Sequence, residues 1–124
     1  MEADVTADTI ARLVNELTRD YAGASSTSDS LVTLVKLPEV FFPDGCKPER
    51  GSAVVVLDPQ QAAPRLLLKQ LPTLKNGRAP RSVGAETIAG EGWHSFSFNQ
   101  QWNESTHTAL QFVEGRLRRF ALDE

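Results

Sequence analysis

Three short runs of apolar residues constrain the fold of this 124-residue chain more than any other feature. They span residues 31–37, 53–57 and 65–69, and all three are rich in valine or leucine. Runs of this length and composition are typical of β-strands. The segments between them are too short for the helical crossovers that parallel strands need, and prolines interrupt them. The pattern therefore predicts a small antiparallel meander that is covered on at least one face.

An amphipathic helix is predicted near each end of the chain. Asp8 can cap the start of the first helix and Gly23 can end it. The apolar residues of this helix recur at helical spacing and are Ile10, Leu13, Val14, Leu17 and Tyr21. We expect the second helix to be capped near Asn103 or Ser105. Its expected apolar stripe comprises Leu110, Val113, Leu117 and Phe120.

Two stretches between these elements show no strand or helix pattern. Residues 24–30 are rich in serine and threonine, which predicts a connecting loop. Residues 70–92 contain prolines, glycines and an Asn-Gly pair without hydrophobic periodicity, which predicts a long irregular loop, and such loops are often functional. The order of helix, meander, loop and helix predicts one α+β domain over residues 1–124, with the helices on one side of an antiparallel sheet.

The charge and cysteine content disfavour several classes of protein. A net charge of −3 does not suit a protein that neutralises nucleic-acid phosphates. The densest basic cluster, Arg116, Arg118 and Arg119, falls in the last turns of the second helix, where we expect solvated cations that favour the helix dipole. A specific anion site is the alternative. No signal-peptide pattern begins the chain, and no apolar run approaches the roughly 20 residues that span a bilayer. We therefore expect a cytoplasmic protein that binds neither nucleic acid nor a membrane.

Cys46 is the candidate catalytic residue, because it is the single cysteine of the chain. It falls in a turn with Pro43 and Gly45, where we expect exposure; Lys47 would favour its thiolate and Asp44 would oppose it. Free cysteines are also common as small packing residues, so a reactive role and a structural role both remain open. The spacing of Cys46, His94 and His107 matches no compact metal-binding pattern. No metal and no cofactor are expected.

Four residues in or beside the predicted loop are candidates for binding a partner protein. Arg78 and Arg81 flank Ala79-Pro80 and could contact an acidic partner, or they could be ordinary solvated arginines. Trp93 and His94 follow at the far end of the loop. Trp93 could instead anchor this end of the loop to the core.

Several short motifs occur in a recognisable order. After the first helix come Leu37-Pro38, Phe42-Pro43 with Gly45, the strand at residues 54–57 and the turn at Pro64. Further on come Asn76-Gly77-Arg78, Pro80-Arg81, Gly92-Trp93, Phe96-Ser97, Trp102 and the helix end at residues 117–120. Over residues 30–122 this order resembles the ubiquitin-conjugating (E2-like, UBC) fold. It is most similar to a divergent prokaryotic E2-like family found near ubiquitin-like proteins, E1-like activating enzymes and JAB-type peptidases.

The resemblance implies a function that differs from standard conjugation. Standard members carry a thioester-forming cysteine after the sheet, behind a His-Pro-Asn triplet, whereas this chain has no such triplet and no cysteine after Cys46. The implied role is an E2-like component of a bacterial ubiquitin-like conjugation or antiphage defence system. It would bind a ubiquitin-like protein, an E1-like enzyme or both without standard thioester chemistry, and as an enzyme it would be an atypical E2-like transferase. The alternative is a small cytoplasmic adaptor or scaffold subunit unrelated to ubiquitin, with the irregular loop as its interface.

Overall fold

The computed structural model describes residues 7–29, 32–59, 64–80, 83–88, 90–96 and 108–121. Within these ranges the elements are α1 (Ala7–Asp20), β1 (Ser25–Asp29), β2 (Val32–Phe41), β3 (Arg50–Leu57), β4 (Arg65–Leu68), β5 (Val83–Ile88), β6 (Glu91–Phe96) and α2 (Ala109–Leu117). A 3₁₀ turn over Arg118–Ala121 continues α2. No helix in the described ranges combines the length and the hydropathy needed to cross a membrane.

The six strands form one antiparallel sheet in the order β1-β2-β3-β4-β6-β5. The predicted α+β class is confirmed, and so is the meander of β2, β3 and β4. Within the described residues, strand β6 joins the meander at one paired position, Leu68 opposite His94. The β5–β6 hairpin therefore extends the sheet beyond the three strands that the apolar runs predict.

The prediction of a connecting loop at residues 24–30 was wrong, because β1 occupies Ser25–Asp29 and pairs along its length with β2. Its sequence is wholly polar, and Ser25 to Ser28 are exposed. An edge strand can contribute backbone hydrogen bonds without burying side chains, so its sequence need not show an apolar run.

The long irregular loop predicted over residues 70–92 is shorter than expected, because β5 and the start of β6 fall within that range. Ile88 pairs with Glu91, and Gly90 lies in the turn between the two strands. Gly90 has a φ of +82°, a conformation that glycine adopts without steric cost. The sequence did not predict β5, because most of its side chains are exposed and neither face of the strand is consistently apolar.

Apolar side chains are buried on both faces of the sheet. On one face, α1 and α2 pack against β2, β3, β4 and β6 around a core that includes Leu13, Val55, Leu68, Phe96 and Phe112. The other face carries a smaller cluster of five buried residues: Leu34, Val54, Val56, Leu67 and Trp93. The prediction that both helices lie on one side of the sheet is confirmed by the membership of the larger cluster.

The first helix follows its predicted stripe, with Leu13 and Leu17 buried and its other apolar residues packed against the core. The prediction that Asp8 caps this helix was wrong, since the helix begins at Ala7 and Asp8 lies inside it. Glu16 joins the two helices, because its Oε1 accepts a hydrogen bond from the backbone N–H of Ala109 at 2.7 Å. A carboxylate at this end of α2 also interacts favourably with the helix dipole.

The second helix starts later than predicted. Thr108 is its N-cap and forms a reciprocal capping box with Gln111, whereas Asn103 and Ser105 lie outside the described residues. The predicted stripe is wrong at Leu110, which is exposed, because Ala109 and Phe112 occupy the buried face. Arg116 is not a solvated helix-end cation: it is buried, and its guanidinium carbon lies 4.9 Å from the centre of the Phe112 ring.

Candidate functional site

Cys46 lies in the core, so the expectation that its turn exposes it was wrong. Its side chain is 2% exposed, and its Sγ atom is 3.4 Å from the backbone carbonyl oxygen of Phe120. Burial raises the pKa of the Cys46 thiol above its ordinary value. A shielded thiol that retains its proton is a poor nucleophile, so the geometry favours the structural role for Cys46.

Arg78 lies on an exposed turn, as predicted for a residue that meets a partner. The turn is ordered by local hydrogen bonds: the N–H of Arg78 donates to Oδ1 of Asn76, and its carbonyl oxygen accepts from Leu74. Leu74 is buried and anchors the turn to the core. Arg81, its predicted companion, lies outside the described residues. The partner-binding role of these arginines stays a prediction.

Trp93 is 4% exposed and belongs to the smaller apolar cluster, which confirms that it anchors the end of the predicted loop. Lys69 places its Nζ 5.0 Å from the centre of the Trp93 ring. Lys69 and Lys36 also form ion pairs with Glu91. The neighbouring His94 projects to the opposite face of β6 and is partly buried. Little of the Trp93 ring remains available to a partner.

Phe41 is the most exposed large apolar side chain among the described residues, since 66% of it is exposed. Its exposure follows from an irregularity in β2. Leu37 pairs with Ala53, and Val40 pairs with Gly51. An advance of three residues along β2 therefore corresponds to only two residues along β3. Such a β-bulge reverses the alternation of side chains between the two faces. Val40 consequently points into the core and Phe41 points outward.

Pro38 gives a physical reason for the bulge at this position. It lies inside the irregular segment between Leu37 and Val40. Proline has no backbone N–H to donate to a neighbouring strand, so within sheets it is confined to edges and bulges. Regular alternation from the buried Leu37 would have placed Glu39 and Phe41 in the core. The sequence thus contained a signal for the exposure of Phe41, but only once β2 is known to continue past Pro38.

Two adjoining cavities lie on either side of Phe41. The first has a volume of about 320 Å³ and is lined by Asp20, Tyr21, Ala22, Glu39, Phe41, Leu110, Glu114 and Leu117. The second has a volume of about 290 Å³ and is lined by Phe41, Phe42, Pro43, Glu114, Leu117, Arg118 and Ala121. Phe41, Glu114 and Leu117 are common to both. We call the two cavities together with their lining residues the Phe41 surface.

The first cavity of the Phe41 surface is acidic. Three carboxylates line it, those of Asp20, Glu39 and Glu114, and no lysine or arginine does so among the described residues. It also lies at the C-terminal end of α1, which carries the negative end of the helix dipole. Arg19 pairs with Asp20, and Arg50 pairs with Glu39 at 3.4 Å, but both arginines are mostly exposed. The cavity therefore combines apolar walls with negative charge.

The pKa of Tyr21 reflects both its burial and the negative charge of this cavity. Burial is the largest cause that raises the pKa of its hydroxyl, the carboxylates of Glu114 and Asp20 add to it, and together they bring the pKa to about 12. A negative environment disfavours the formation of a tyrosinate and favours any cation brought near the same position. Tyr21 is the single tyrosine of the chain, so its ionisation can be followed directly.

The described lining of the Phe41 surface combines apolar side chains with charged ones. Among the described residues, no cysteine or histidine lines it. Cys46 lies in the core, where Phe42 contacts Phe120 edge to face at 6.1 Å between ring centres. Of the residues that line the Phe41 surface, Tyr21, Leu110 and Leu117 belong to the predicted helix stripes, Arg118 to the expected solvated helix end, and Phe41 had no predicted role. Comparison of the chain with protein-family models, curated proteins and solved structures finds no significant match.

Proposed function

We propose that this domain is a protein-binding module that acts as an E2-like component of a bacterial ubiquitin-like conjugation or defence-associated system. It would bind a ubiquitin-like protein, an E1-like enzyme or both, and would do so without a cysteine thioester. The observation that carries the proposal is the contrast between the buried Cys46 and the exposed Phe41. The reactive group that conjugation needs is shielded, whereas an aromatic side chain suited to protein contact is not.

The exposed aromatic residue supports binding because large apolar side chains beside cavities are common anchors of protein interfaces. Phe41 is joined by Leu110, whose side chain is also exposed and lines the same cavity. The order of the elements supports the E2-like part of the proposal at the level of fold class only. An N-terminal helix precedes an antiparallel meander, and both helices pack on one face of the sheet.

The position of Cys46 supports the absence of thioester chemistry. Attack on an activated ubiquitin-like protein requires an accessible thiolate, because the thiolate is the nucleophile. Cys46 is enclosed between its own turn and the 3₁₀ turn after α2, and its thiol faces the carbonyl oxygen of Phe120. A carrier role would require this packing to open.

A charging assay tests both parts of the proposal. The wild-type protein and a Cys46→Ser variant are incubated with ATP and with any ubiquitin-like protein and E1-like enzyme that the gene neighbourhood encodes, and the products are resolved on a non-reducing gel. Size-exclusion chromatography of the same mixtures measures complex formation. We expect no thiol-sensitive adduct and co-elution with at least one of the two proteins.

Each other outcome has a clear meaning. A thiol-sensitive adduct that is lost in Cys46→Ser would make Cys46 a carrier and contradict the non-catalytic role. The absence of both adduct and co-elution would contradict the ubiquitin-related role and favour an adaptor or scaffold subunit unrelated to ubiquitin.

A further inference from the structure

The Phe41 surface has features that select among possible occupants. Its apolar part is formed by Phe41, Leu110 and Leu117, which line cavities large enough for one apolar side chain each. Its polar part is acidic around the first cavity, which Asp20, Glu39 and Glu114 line, whereas Arg118 lines the second cavity. An occupant must bury apolar surface and also tolerate, or neutralise, these carboxylates.

The charge argues against three kinds of occupant. Phosphates of nucleic acids and anionic lipid headgroups would be repelled by the carboxylates. A second copy of this chain, docked through the same surface about a two-fold axis, would bring two sets of carboxylates together. Like charges placed opposite one another in an interface disfavour it.

We propose that the Phe41 surface binds a segment of a partner protein in which an apolar side chain is flanked by lysine or arginine residues. The inference rests on the proposed protein-binding function and adds the chemistry of the partner. The apolar side chain occupies a cavity beside Phe41, and a flanking cation approaches Glu114 and the C-terminal end of α1.

The two arginines that pair with carboxylates of the first cavity do not block this arrangement, and Arg118 lines the second cavity instead. Arg19 and Arg50 pair with Asp20 and Glu39, and the two arginine side chains are 69% and 61% exposed. Exposed ion pairs of this kind contribute little stability, so a partner cation can replace either arginine at small cost. Glu114 shows no ion pair among the described residues and offers the most direct position for a partner cation.

The proposal is tested with a panel of short fluorescein-labelled peptides and the full-length chain. Each peptide carries one leucine, isoleucine, phenylalanine or tryptophan between two basic residues on either side. One control set replaces the basic residues by glutamate, and a second replaces the apolar residue by serine. Binding is measured by fluorescence anisotropy at low and at physiological salt concentration.

Two variants of the surface are compared with two matched controls. Phe41→Ser removes the exposed aromatic ring, and Val83→Ser removes an exposed apolar side chain at the opposite end of the sheet. Glu114→Gln and Thr87→Lys each raise the net charge by one, but Thr87 lies on β5, away from the surface. Far-ultraviolet circular dichroism verifies that all four variants are folded.

We expect at least one basic peptide to bind the wild type and to bind less tightly as the salt concentration rises. Phe41→Ser should weaken it by about tenfold, as for an interface anchor, and Glu114→Gln by about threefold. Both control variants should bind as the wild type does. The proposal is overturned if no basic peptide binds, if the glutamate peptides bind equally well, or if neither surface variant weakens binding.

This test separates the inference from the proposed function. Peptide binding that depends on Phe41, without co-elution of either ubiquitin-related protein, would retain the inference and contradict the E2-like role. Co-elution that is unchanged in Phe41→Ser and Glu114→Gln, together with no binding of any basic peptide, would retain the E2-like role and overturn the inference.

Discussion

The Sγ atom of Cys46 donates a hydrogen bond to the backbone carbonyl oxygen of Phe120 across 3.4 Å, although the two residues are 74 positions apart. This contact joins the turn after β2 to the 3₁₀ turn after α2. Phe42 and Phe96 also pack against the ring of Phe120, with ring centres 6.1 Å and 4.9 Å away. The single thiol of the chain is therefore part of the packing that closes the core beneath the Phe41 surface.

Cys46 should resist alkylation in the folded protein. Its side chain is buried and its raised pKa keeps the thiol protonated, so iodoacetamide should modify it only when the protein unfolds. Mass spectrometry of samples treated with and without urea measures the modification. Rapid modification of the native protein would show that the thiol is accessible and would reopen its catalytic role.

Phe41 and Phe42 should respond very differently to truncation, although they are neighbours in sequence. Phe42 is 7% exposed and packs in the core, so Phe42→Ala should lower the free energy of unfolding by about 3 to 5 kcal/mol. Phe41→Ala removes an exposed side chain and should change it by less than about 0.5 kcal/mol. Urea denaturation of both variants measures the difference. Similar losses for the two would contradict the bulge in β2.

Trp93→Ala should destabilise the fold by about 3 to 5 kcal/mol, because its ring is enclosed by Leu34, Val54, Val56 and Leu67. Val83→Ala on the exposed strand β5 is the control and should have a small effect. Chemical denaturation monitored by circular dichroism measures the free energy of unfolding, since this signal does not depend on tryptophan emission. A loss below about 1 kcal/mol for Trp93→Ala would place the ring on the surface instead.

Gly45 and Gly77 form a matched pair that tests whether the turn at residues 43–46 packs against the turn at residues 74–77. Both have a positive φ, +90° at Gly45 and +83° at Gly77, so alanine is strained at either position by about 1 to 2 kcal/mol. At Gly45 an added Cβ would also lie 2.5 Å from Cβ of Lys75, whereas nothing lies within 4 Å at Gly77. Gly45→Ala should therefore be the more destabilising by about 1 to 3 kcal/mol, as measured by urea denaturation. Equal effects would show that the two turns are not in contact.

Tyr21 should ionise with a pKa of about 12 in the folded protein, compared with about 10 in an unfolded chain. Ultraviolet absorbance of tyrosinate measures the titration directly. Glu114→Gln should lower this pKa, since it removes one of the carboxylates that raise it. An unchanged pKa in Glu114→Gln would show that the carboxylate does not act on Tyr21.

The same group should make stability depend on pH in alkaline solution. Between pH values of about 10 and 12 the unfolded chain loses the Tyr21 proton while the folded chain keeps it, so the free energy of unfolding falls. Buried Arg116 acts in the opposite direction, because its pKa is lowered to about 10 in the folded chain. Comparison with Tyr21→Phe isolates the tyrosine, and the variant should lose less stability than the wild type over this range.

Local sequence patterns determined the elements that bury their own side chains. The periodicity of α1 and the valine and leucine runs of β2, β3 and β4 were sufficient, because a helix face or a buried strand must repeat apolar residues at a fixed spacing. The glycine after α1 likewise lies just beyond the helix end. These parts of the fold are specified within short segments.

Tertiary structure alone decided the elements and exposures that depend on distant partners. Strand β1 exists because β2 supplies its hydrogen bonds, and the wholly polar sequence of β1 carries no sign of this. Cys46 is buried because Phe120 covers it, and Phe41 is exposed because pairing with β3 places a bulge at Pro38. Strand pairing and burial join residues that are far apart in the chain, so the environment of a side chain depends on its neighbours in space. The candidate site could therefore not be predicted from the sequence alone.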